Sequence, residues 1–412
     1  MGKKITDSKT SHYENLGVSS DKKEVHNAFA GFDQGIYPGS FCKILPDING
    51  DPEYCTIMHA DGAGTKSSLA YAHWRETGNL DALRNIPIDA IVMNIDDLLC
   101  VGSTGPYMLS QTIGRNKSLI PEEVLKAIAQ GTTSFMKKMS DFGIEIIHIG
   151  GETADVGDLV RTIIIDSTVV PRMLRSNVVP TKIKAGDIIV GLASYGKATY
   201  EDEYNSGMGS NGLTSARHDV FRNDLAKKYP ELYDPALPKE LVYSGKYSMQ
   251  DKYLGDLTEY GQATFSIAQL ILSPTRTYTP IIKKFLESDS RNKSQVSAMI
   301  HCSGGGQTKC LRFASPDVRI FKDNLFDIPP VFEIIRECTK GKMSDKEMYQ
   351  SYNMGHRFEV YCKNEQTAEK LINISRSFGV DAKIIGKCIQ GREGEGVSLR
   401  IISCLGNFDY TL

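Results

Sequence analysis

The apolar and polar positions along the chain predict two successive segments in which strands alternate with helices. Three apolar runs of the first segment predict strands, at 54–60, 144–151 and 161–172. Two longer stretches have the periodicity of helices, at 88–102 and 121–139. The second of these begins with Pro121 and two glutamates, as helix N-termini prefer.

The second segment follows a link at 173–187. Its predicted strands are 188–194, 296–302 and a last one that begins at Val380, and its predicted helices are 273–288, a short helix opened by the capping box 344–347, and 366–379. The polar stretch 195–261 has no clear pattern. The alternation predicts an α/β (α+β layered) fold of two domains, residues 1–175 and 176–412.

A glycine-rich bend follows the first predicted strand, in the sequence "IMHADGAGTKSS". Thr65 separates Gly64 from Lys66, so the spacing of a Walker A loop is absent. Asp61 is placed at a strand end, Gly62 and Gly64 allow backbone amides to face an anion, and the ammonium of Lys66 adds positive charge. A tight turn with a surface lysine explains the same residues.

Three acidic residues are candidates for a magnesium site. Asp96 and Asp97 are adjacent in an apolar helical stretch, and Glu152 follows the glycine pair at the end of a predicted core strand. Mg²⁺ favours one or two carboxylates together with phosphate oxygens and water. Aspartates that face solvent and an ordinary strand-to-loop turn remain the competing interpretations.

Two further glycine-rich loops are candidates for ligand binding. The predicted strand 296–302 contains His301 and leads into Gly304, Gly305 and Gly306, whose amides are able to form an anion nest. The loop 207–212 contains Asn211, which suits either a left-handed turn or a ligand contact. His301 taken alone is equally explained as a core histidine.

Composition narrows the class of protein. The formal charge of −2 comes from 48 basic and 50 acidic side chains without a basic block, which argues against nucleic-acid binding. No apolar run is long enough to span a membrane, and the first residues lack the apolar core of a signal peptide. Nine scattered cysteines without a C-x-x-C pair indicate free thiols, so we expect a cytoplasmic protein.

The order of these motifs resembles the phosphoribosylformylglycinamidine cyclo-ligase (aminoimidazole ribonucleotide, or AIR, synthetase) family. The family pattern D-G-x-G-T-K, D-L-L-x-x-G, G-G-E-T-A, S-N-G, P-T-R-x-Y and H-x-x-G-G-G is matched at 61–66, 97–102, 150–154, 210–212, 274–278 and 301–306. Six ordered motifs over most of a chain are far more specific than one glycine loop.

The resemblance implies a two-domain fold whose N-terminal sheet pairs with that of a second subunit in a homodimer. It implies an ATP-dependent ligase of purine biosynthesis that acts on formylglycinamidine ribonucleotide, with Asp61, Asp97 and Glu152 binding Mg²⁺. It implies catalytic roles for Lys66, Asp97 and His301, with Lys66 neutralising phosphate charge. The cofactor and substrate contacts that it implies are Asp61, Gly62, Gly64, Thr65, Lys66, Ser210, Asn211, Gly304, Gly305 and Gly306.

The chain departs from the family pattern at several positions. They are Gly209 for histidine, Glu14 for lysine, Asp96 for asparagine, Arg357 for glycine, Val156-Gly157 for Met-Pro, and an insertion of about ten residues at 195–205. These changes concern substrate contacts or turnover more than nucleotide binding. The residue that acts as general base is not identified by the pattern.

Two alternative functions remain open. The stretch 39–48 is similar to the glycine-rich arm of selenophosphate synthetases, with Cys42-Lys43 matched and Ser40 at the reactive position. The departures at Gly209, Glu14 and Arg357 also suit a related nucleotide-binding protein without turnover. The motifs at 61–66 and 210–212 favour the cyclo-ligase over both.

Overall fold

Two β-sheets organise the chain, one after the other along the sequence. A computed structural model describes residues 11–19, 23–257 and 264–412, so residues 1–10 and the end of the polar stretch 195–261 lie outside the described part. The helices of the described residues are α1 (His12–Asn15), α2 (Lys23–Phe29), α3 (Lys66–Thr77), α4 (Asp81–Leu99), α5 (Glu122–Ser140), α6 (Leu213–Val220), α7 (Asp224–Lys228), α8 (Ile267–Ile271), α9 (Thr279–Ser288), α10 (Pro330–Cys338), α11 (Asp345–Ser351) and α12 (Glu365–Ser377).

The first sheet contains six strands among the described residues. They are β1 (Ile44–Pro46), β2 (Tyr54–Ile57), β3 (His59–Gly62), β4 (Tyr107–Arg115), β5 (Ile146–Asp155) and β6 (Ile163–Leu174). Their order is β1-β2-β6-β4-β5, with β3 also paired to β6. Only β4 and β5 are parallel; the other pairs are antiparallel.

One face of the first sheet is covered by helices and the other is open. On β4, Leu109 and Gln111 are buried on the covered face, where α4 and α5 pack, whereas Met108 and Thr112 are exposed on the opposite face. Strand residues alternate between faces, so this pattern identifies a sheet that is half-buried within one chain.

The second sheet contains seven strands in the described part of the chain. They are β7 (Ile188–Ala193), β8 (Val296–His301), β9 (Val318–Lys322), β10 (His356–Cys362), β11 (Ala382–Gln390), β12 (Ser398–Ser403) and β13 (Gly406–Thr411), in the order β13-β12-β9-β11-β7-β10-β8. All residues of β8 and β10 are buried. Helix α4 of the first half packs against β8 and α9, which joins the two halves.

The predicted layered α/β architecture is confirmed, with the following differences in its elements. The predicted strand 54–60 is two strands, β2 and β3, so that Asp61 lies within a strand instead of after it. The predicted helix 273–288 begins only at Thr279. The proposed domain boundary after residue 175 falls between the end of β6 and the start of β7.

Candidate functional site

Asp97 is the centre of a polar cluster at the junction of the two halves. It lies near the C-terminal end of α4, and its carboxylate oxygens lie 2.6 Å from Nδ1 of His301 on β8 and 3.3 Å from Nε2 of His59 on β3. The other ring nitrogen of His59, Nδ1, lies 2.9 Å from Oδ1 of Asn94, one turn earlier on α4. Sequence analysis missed His59, although it stands two residues before Asp61.

The cluster keeps Asp97 ionised. Burial raises the pKa of the Asp97 carboxyl, but hydrogen bonds from His301 and His59 lower it further, so the net shift is far below the usual range. Burial lowers the pKa of His59, and the hydrogen bond and charge of Asp97 outweigh this and raise it. Burial, together with the charge of Asp97, raises the pKa of Asp61. Repulsion between these two carboxylates favours a bound cation.

His301 is oriented on one side and unpaired on the other. Its side chain is fully buried, Nδ1 is held by Asp97, and Nε2 finds no hydrogen-bond partner among the residues that the structure describes. A histidine whose one nitrogen is fixed by a carboxylate presents the other nitrogen in a defined orientation and tautomer. His301 is therefore placed to exchange a proton with a ligand.

Asp96 points away from Asp97 and organises a different segment. Its Oδ1 accepts hydrogen bonds from Oγ1 of Thr277 at 2.6 Å and of Thr279 at 3.3 Å, and its carboxylate also accepts the backbone N–H of Tyr278. Burial raises the pKa of Asp96, which is fully enclosed. The interpretation that both aspartates face solvent is wrong. Asp96 holds the segment that leads into α9, which the sequence pattern had assigned to the helix itself.

Lys66 is buried in an ion pair, contrary to its expected phosphate contact. Its Nζ lies 2.8 Å from Oδ1 of Asp89 and also donates to the carbonyl of Ser273, and the side chain has no exposed surface. Oδ1 of Asp89 accepts the backbone N–H of Thr275 at 2.8 Å as well. This correction has a simple cause: Lys66 opens α3 and points inward, where a buried charge requires a partner.

The remaining residues of the bend line its open side. Oδ1 of Asp61 accepts the N–H of Gly62 at 2.7 Å, and Oγ1 of Thr65 lies 3.0 Å from that of Thr214. A Cβ at Gly62 would lie 1.7 Å from Oδ1 of Asp166, so a larger residue there would displace the Asp166 carboxylate. Gly64 has φ +57° and nothing within 4 Å of a notional Cβ, which leaves room for a ligand.

The two later glycine loops approach each other. Oγ of Ser210 lies 3.1 Å from Oγ1 of Thr275, and a Cβ at Gly304 would lie 3.9 Å from Nδ2 of Asn211. Oδ1 of Asn211 is buried and has no hydrogen-bond partner in the described ranges. Gly305 has φ +93°, and a Cβ at Gly306 would lie 2.6 Å from the carbonyl of Tyr349. Both loops therefore require glycine and border one space.

Sequence analysis also missed Lys309, which supplies a cation near this space. Its Nζ donates to Oγ of Ser303 at 3.1 Å and lies 5.0 Å from the ring centroid of Phe41. The charge of Lys309 contributes to the lowered pKa of the Asp97 carboxyl, after the larger effects named above. Lys309 is the first lysine after the three glycines, and this position in the sequence could have identified it as a candidate.

Glu152 lies away from the cluster within one chain. It is exposed on β5, and the register aligns it with Thr112 on β4, Asp166 on β6 and Gly62 on β3. Three inter-strand spacings separate Glu152 from Gly62, about 14 Å. Asp61, Asp97 and Glu152 of a single chain therefore do not bind one ion, because Glu152 is inside an edge strand instead of at its end.

Two of the family departures have structural roles. The carboxylate of Glu14 accepts the N–H of Ser11 at 2.9 Å and closes a capping box on α1, with its side chain exposed. In the insertion 195–205, Oε2 of Glu201 lies 2.5 Å from Nη2 of Arg276. The insertion therefore anchors the segment before α9 from the side opposite Asp96.

The chain belongs to the AIR synthase related family. The family model "AIR synthase related protein, N-terminal domain" matches residues 39–173, and the model "AIR synthase related protein, C-terminal domain" matches residues 184–398. The sequence-based prediction of this enzyme family is confirmed.

Curated relatives support this assignment, and solved structures share the fold. The phosphoribosylformylglycinamidine cyclo-ligase of Methanococcus vannielii is 31% identical over 84% of this chain and 80% of its own length, and that of Methanocaldococcus jannaschii is 29% identical over 84% and 81%. Phosphoribosylformylglycinamidine synthase II of Thermotoga maritima has a TM-score of 0.51 at 12% identity over 97% of this chain. This chain spans 50% of that synthase.

A second solved structure, a HypE–HypF complex, also shares the fold. It has a TM-score of 0.51 at 14% identity, covering 95% of this chain and 99% of that one. None of the helices in the part of the chain that the structure describes is long and apolar enough to cross a membrane.

Proposed function

We propose that the chain is a phosphoribosylformylglycinamidine cyclo-ligase, which converts formylglycinamidine ribonucleotide to 5-aminoimidazole ribonucleotide with ATP yielding ADP and phosphate. The observation that carries the proposal is the Asp97 cluster, where β3, α4 and β8 of both halves meet beside two glycine-rich loops. The names of the relatives at about 30% identity, 31% and 29%, support it.

We further propose that Mg²⁺ and ATP bind beside this cluster. Asp61 and Asp97 are carboxylates that repel each other, and Mg²⁺ prefers one or two carboxylates with phosphate oxygens completing its shell. When bound, the ion would neutralise phosphate charge. The amides at Gly64 and Thr65 and those at Gly304 and Gly305 would bind phosphate oxygens, with Lys309 as the nearby cation in place of Lys66. The N–H groups of Gly62 and Gly306 donate instead to Oδ1 of Asp61 and to the carbonyl of Ser303.

The reaction requires positioning and proton transfer from the protein. The formamide oxygen attacks the γ-phosphorus of ATP and ADP leaves; an amidine nitrogen then attacks the activated carbon, phosphate departs and the ring closes. The attacking nitrogen loses a proton in this closure. Nε2 of His301 is buried, unpaired among the described residues and oriented by Asp97, so we assign it as the proton acceptor.

The selenophosphate-synthetase alternative is not supported by the stretch 39–48. Oγ of Ser40 lies 2.8 Å from the carbonyl oxygen of Tyr37 and 2.7 Å from that of Cys42, so its one hydroxyl proton is engaged with the backbone. The Cys42 thiol is buried and donates to the carbonyl of Asp97 at 3.2 Å, and burial raises its pKa well above the ordinary value. A buried thiol of raised pKa is a poor nucleophile.

The direct test is ATP-dependent formation of aminoimidazole ribonucleotide by the purified chain, measured with and without Mg²⁺. We expect one ADP per aminoimidazole formed and loss of both products when Mg²⁺ is chelated. Complementation of a purine auxotroph that lacks the cyclo-ligase provides a second measurement. A folded, nucleotide-binding chain that forms no product and gives no growth would favour the alternative of a related protein without turnover.

We propose that the open face of the first sheet forms a homodimer interface. Met58, Met108 and Ile147 expose 66%, 42% and 45% of their surface there, and exposed apolar patches of this kind mark interaction sites.

The nine cysteines are free, which supports the proposed cytoplasmic location.

We expect Met108→Glu to convert the dimer to a monomer of 45.5 kDa, measured by light scattering after gel filtration. A carboxylate in a desolvated interface weakens association by about tenfold or more. Leu254→Glu is the matched control, because Leu254 is 96% exposed outside this face. A Met108→Glu chain that keeps the wild-type dimer would exclude this face as the interface.

A further inference from the structure

Arg357 is a buried cation at an irregular point of the second sheet. It lies near the start of β10, where the pairing of β10 with β7 shifts register between His356 and Phe358. Such a bulge redirects a side chain relative to its neighbours. Only 2% of Arg357 is exposed, so its guanidinium is enclosed by the protein.

The guanidinium has donors left over. Nη2 donates to the carbonyl of Arg276, and the central carbon lies 5.7 Å from the ring centroid of Tyr278. Nε and Nη1 are buried and find no hydrogen-bond partner within 11–19, 23–257 and 264–412. A buried charge with unused donors is unfavourable, because the lost hydration is not replaced.

The unused Nη1 lies against the loop 207–212. Gly209 has φ +69°, and a Cβ built there would lie 2.8 Å from Nη1 of Arg357. Asn211, two residues later, has the buried unpaired Oδ1 described above. Unused donors and an unused acceptor therefore border the same loop, which is the arrangement of a polar binding site without its ligand's atoms.

Two departures from the family pattern thus meet in space. The pattern has a histidine where Gly209 stands and a glycine where Arg357 stands. Because Gly209 has no side chain, there is room beside the loop 207–212, and the side chain of Arg357 extends into it. In this chain the guanidinium of Arg357 therefore lies beside the loop position at which the family pattern has a histidine.

We propose that Arg357 binds an anionic oxygen of the phosphorylated ribonucleotide substrate, in place of a side chain on the loop 207–212. This assignment rests on the proposed function and adds one substrate-binding residue specific to this chain. Arginine suits the role because it stays charged when buried and donates to phosphate and carboxylate oxygens.

The test is Arg357→Gln in the aminoimidazole assay. We expect the KM for formylglycinamidine ribonucleotide to rise about 10- to 100-fold, as for loss of a hydrogen bond to a charged group, with the KM for ATP within about twofold. Arg222→Gln is the matched control, because Arg222 is exposed and its guanidinium pairs with the exposed carboxylate of Asp224. An unchanged ribonucleotide KM, or equal changes for both substrates, overturns the proposal.

A second variant covers a failure of Arg357→Gln to fold. Arg357→Lys keeps the positive charge but removes the planar guanidinium and its unused donors, so it is expected to raise the KM for formylglycinamidine ribonucleotide while the KM for ATP stays within about twofold. If Arg357→Lys leaves the ribonucleotide KM unchanged, or changes both KM values equally, the proposal is wrong.

Calorimetric binding of ribose 5-phosphate separates this inference from the proposed function. Wild-type protein that forms no aminoimidazole but binds ribose 5-phosphate in an Arg357-dependent manner would contradict the function and support the site. Wild-type protein that forms aminoimidazole, with binding unaffected by Arg357→Gln, would contradict the site alone.

Discussion

Asp97→Asn is expected to reduce the turnover number for aminoimidazole formation by about 10²- to 10³-fold. The carboxylate of Asp97 holds His59 from the first sheet and His301 from the second, and it is the proposed ligand of Mg²⁺ together with Asp61. Asparagine retains the shape but loses the negative charge and one acceptor. The variant therefore loses cation affinity and the defined orientation of His301 at the same time.

The measurement is the initial rate at saturating ATP over a range of Mg²⁺ concentrations. We expect the half-saturating Mg²⁺ concentration to rise along with the loss of rate. The matched control is Asp202→Asn, because Asp202 is 86% exposed and, among the described residues, forms an ion pair with Lys138 on α5. Its rate and Mg²⁺ dependence are expected to equal those of the wild type.

Retained activity in Asp97→Asn would contradict both roles of this residue. A loss of rate with an unchanged Mg²⁺ dependence would limit Asp97 to orienting the two histidines. Thermal unfolding distinguishes either result from misfolding, since the substitution preserves volume and leaves the surrounding apolar residues of α4 in place.

The positions of strands and helices were predictable where the apolar residues follow a single helical or strand periodicity. Helix α5 has buried residues at helical spacing and begins one residue after Pro121, as its sequence indicated. Strand β8 is fully buried, and its apolar residues Val296, Ala298, Met299 and Ile300 predicted it. In both cases local pattern and tertiary burial favour the same element.

The order of motifs indicated the loops that border this candidate site but not the direction of each side chain. Asp97 and His301 meet although they are 204 positions apart. Lys66 and Glu152 do not join them. The direction of Lys66 depends on Asp89 of α4, and the exposure of Glu152 depends on the register of β5, neither of which is encoded in the motifs themselves.

The segment before α9 shows why sequence periodicity overextended a helix. Residues 273–278 carry polar side chains that suit a helix N-terminus, but Asp89 and Asp96 accept their backbone and hydroxyl hydrogen bonds. These bonds hold the segment in a non-helical form between α4 and the insertion 195–205. Long-range side-chain acceptors of this kind are invisible in a local pattern.

Lys66→Met is expected to destabilise the chain by about 3–5 kcal/mol, because it leaves the buried carboxylate of Asp89 without its cation. Neither member of the pair has exposed surface, and Asp89 also holds Thr275. The measurement is urea-induced unfolding, followed by fluorescence of the single tryptophan, Trp74, which lies on α3 with Lys66. The midpoint should fall to a markedly lower urea concentration.

Lys126→Met is the matched control, because Lys126 is 68% exposed and its pair with Glu122 on α5 is worth less than about 1 kcal/mol. Comparing Lys66→Met with Lys126→Met separates the structural role of Lys66 from the phosphate contact that the D-G-x-G-T-K motif predicts. If Lys66→Met kept the wild-type unfolding midpoint and raised the KM for ATP, the lysine would contact phosphate in the working enzyme. A lowered midpoint with an unchanged KM for ATP would instead show that the D-G-x-G-T-K motif of this chain uses its lysine to join α3 to α4 and to the segment before α9.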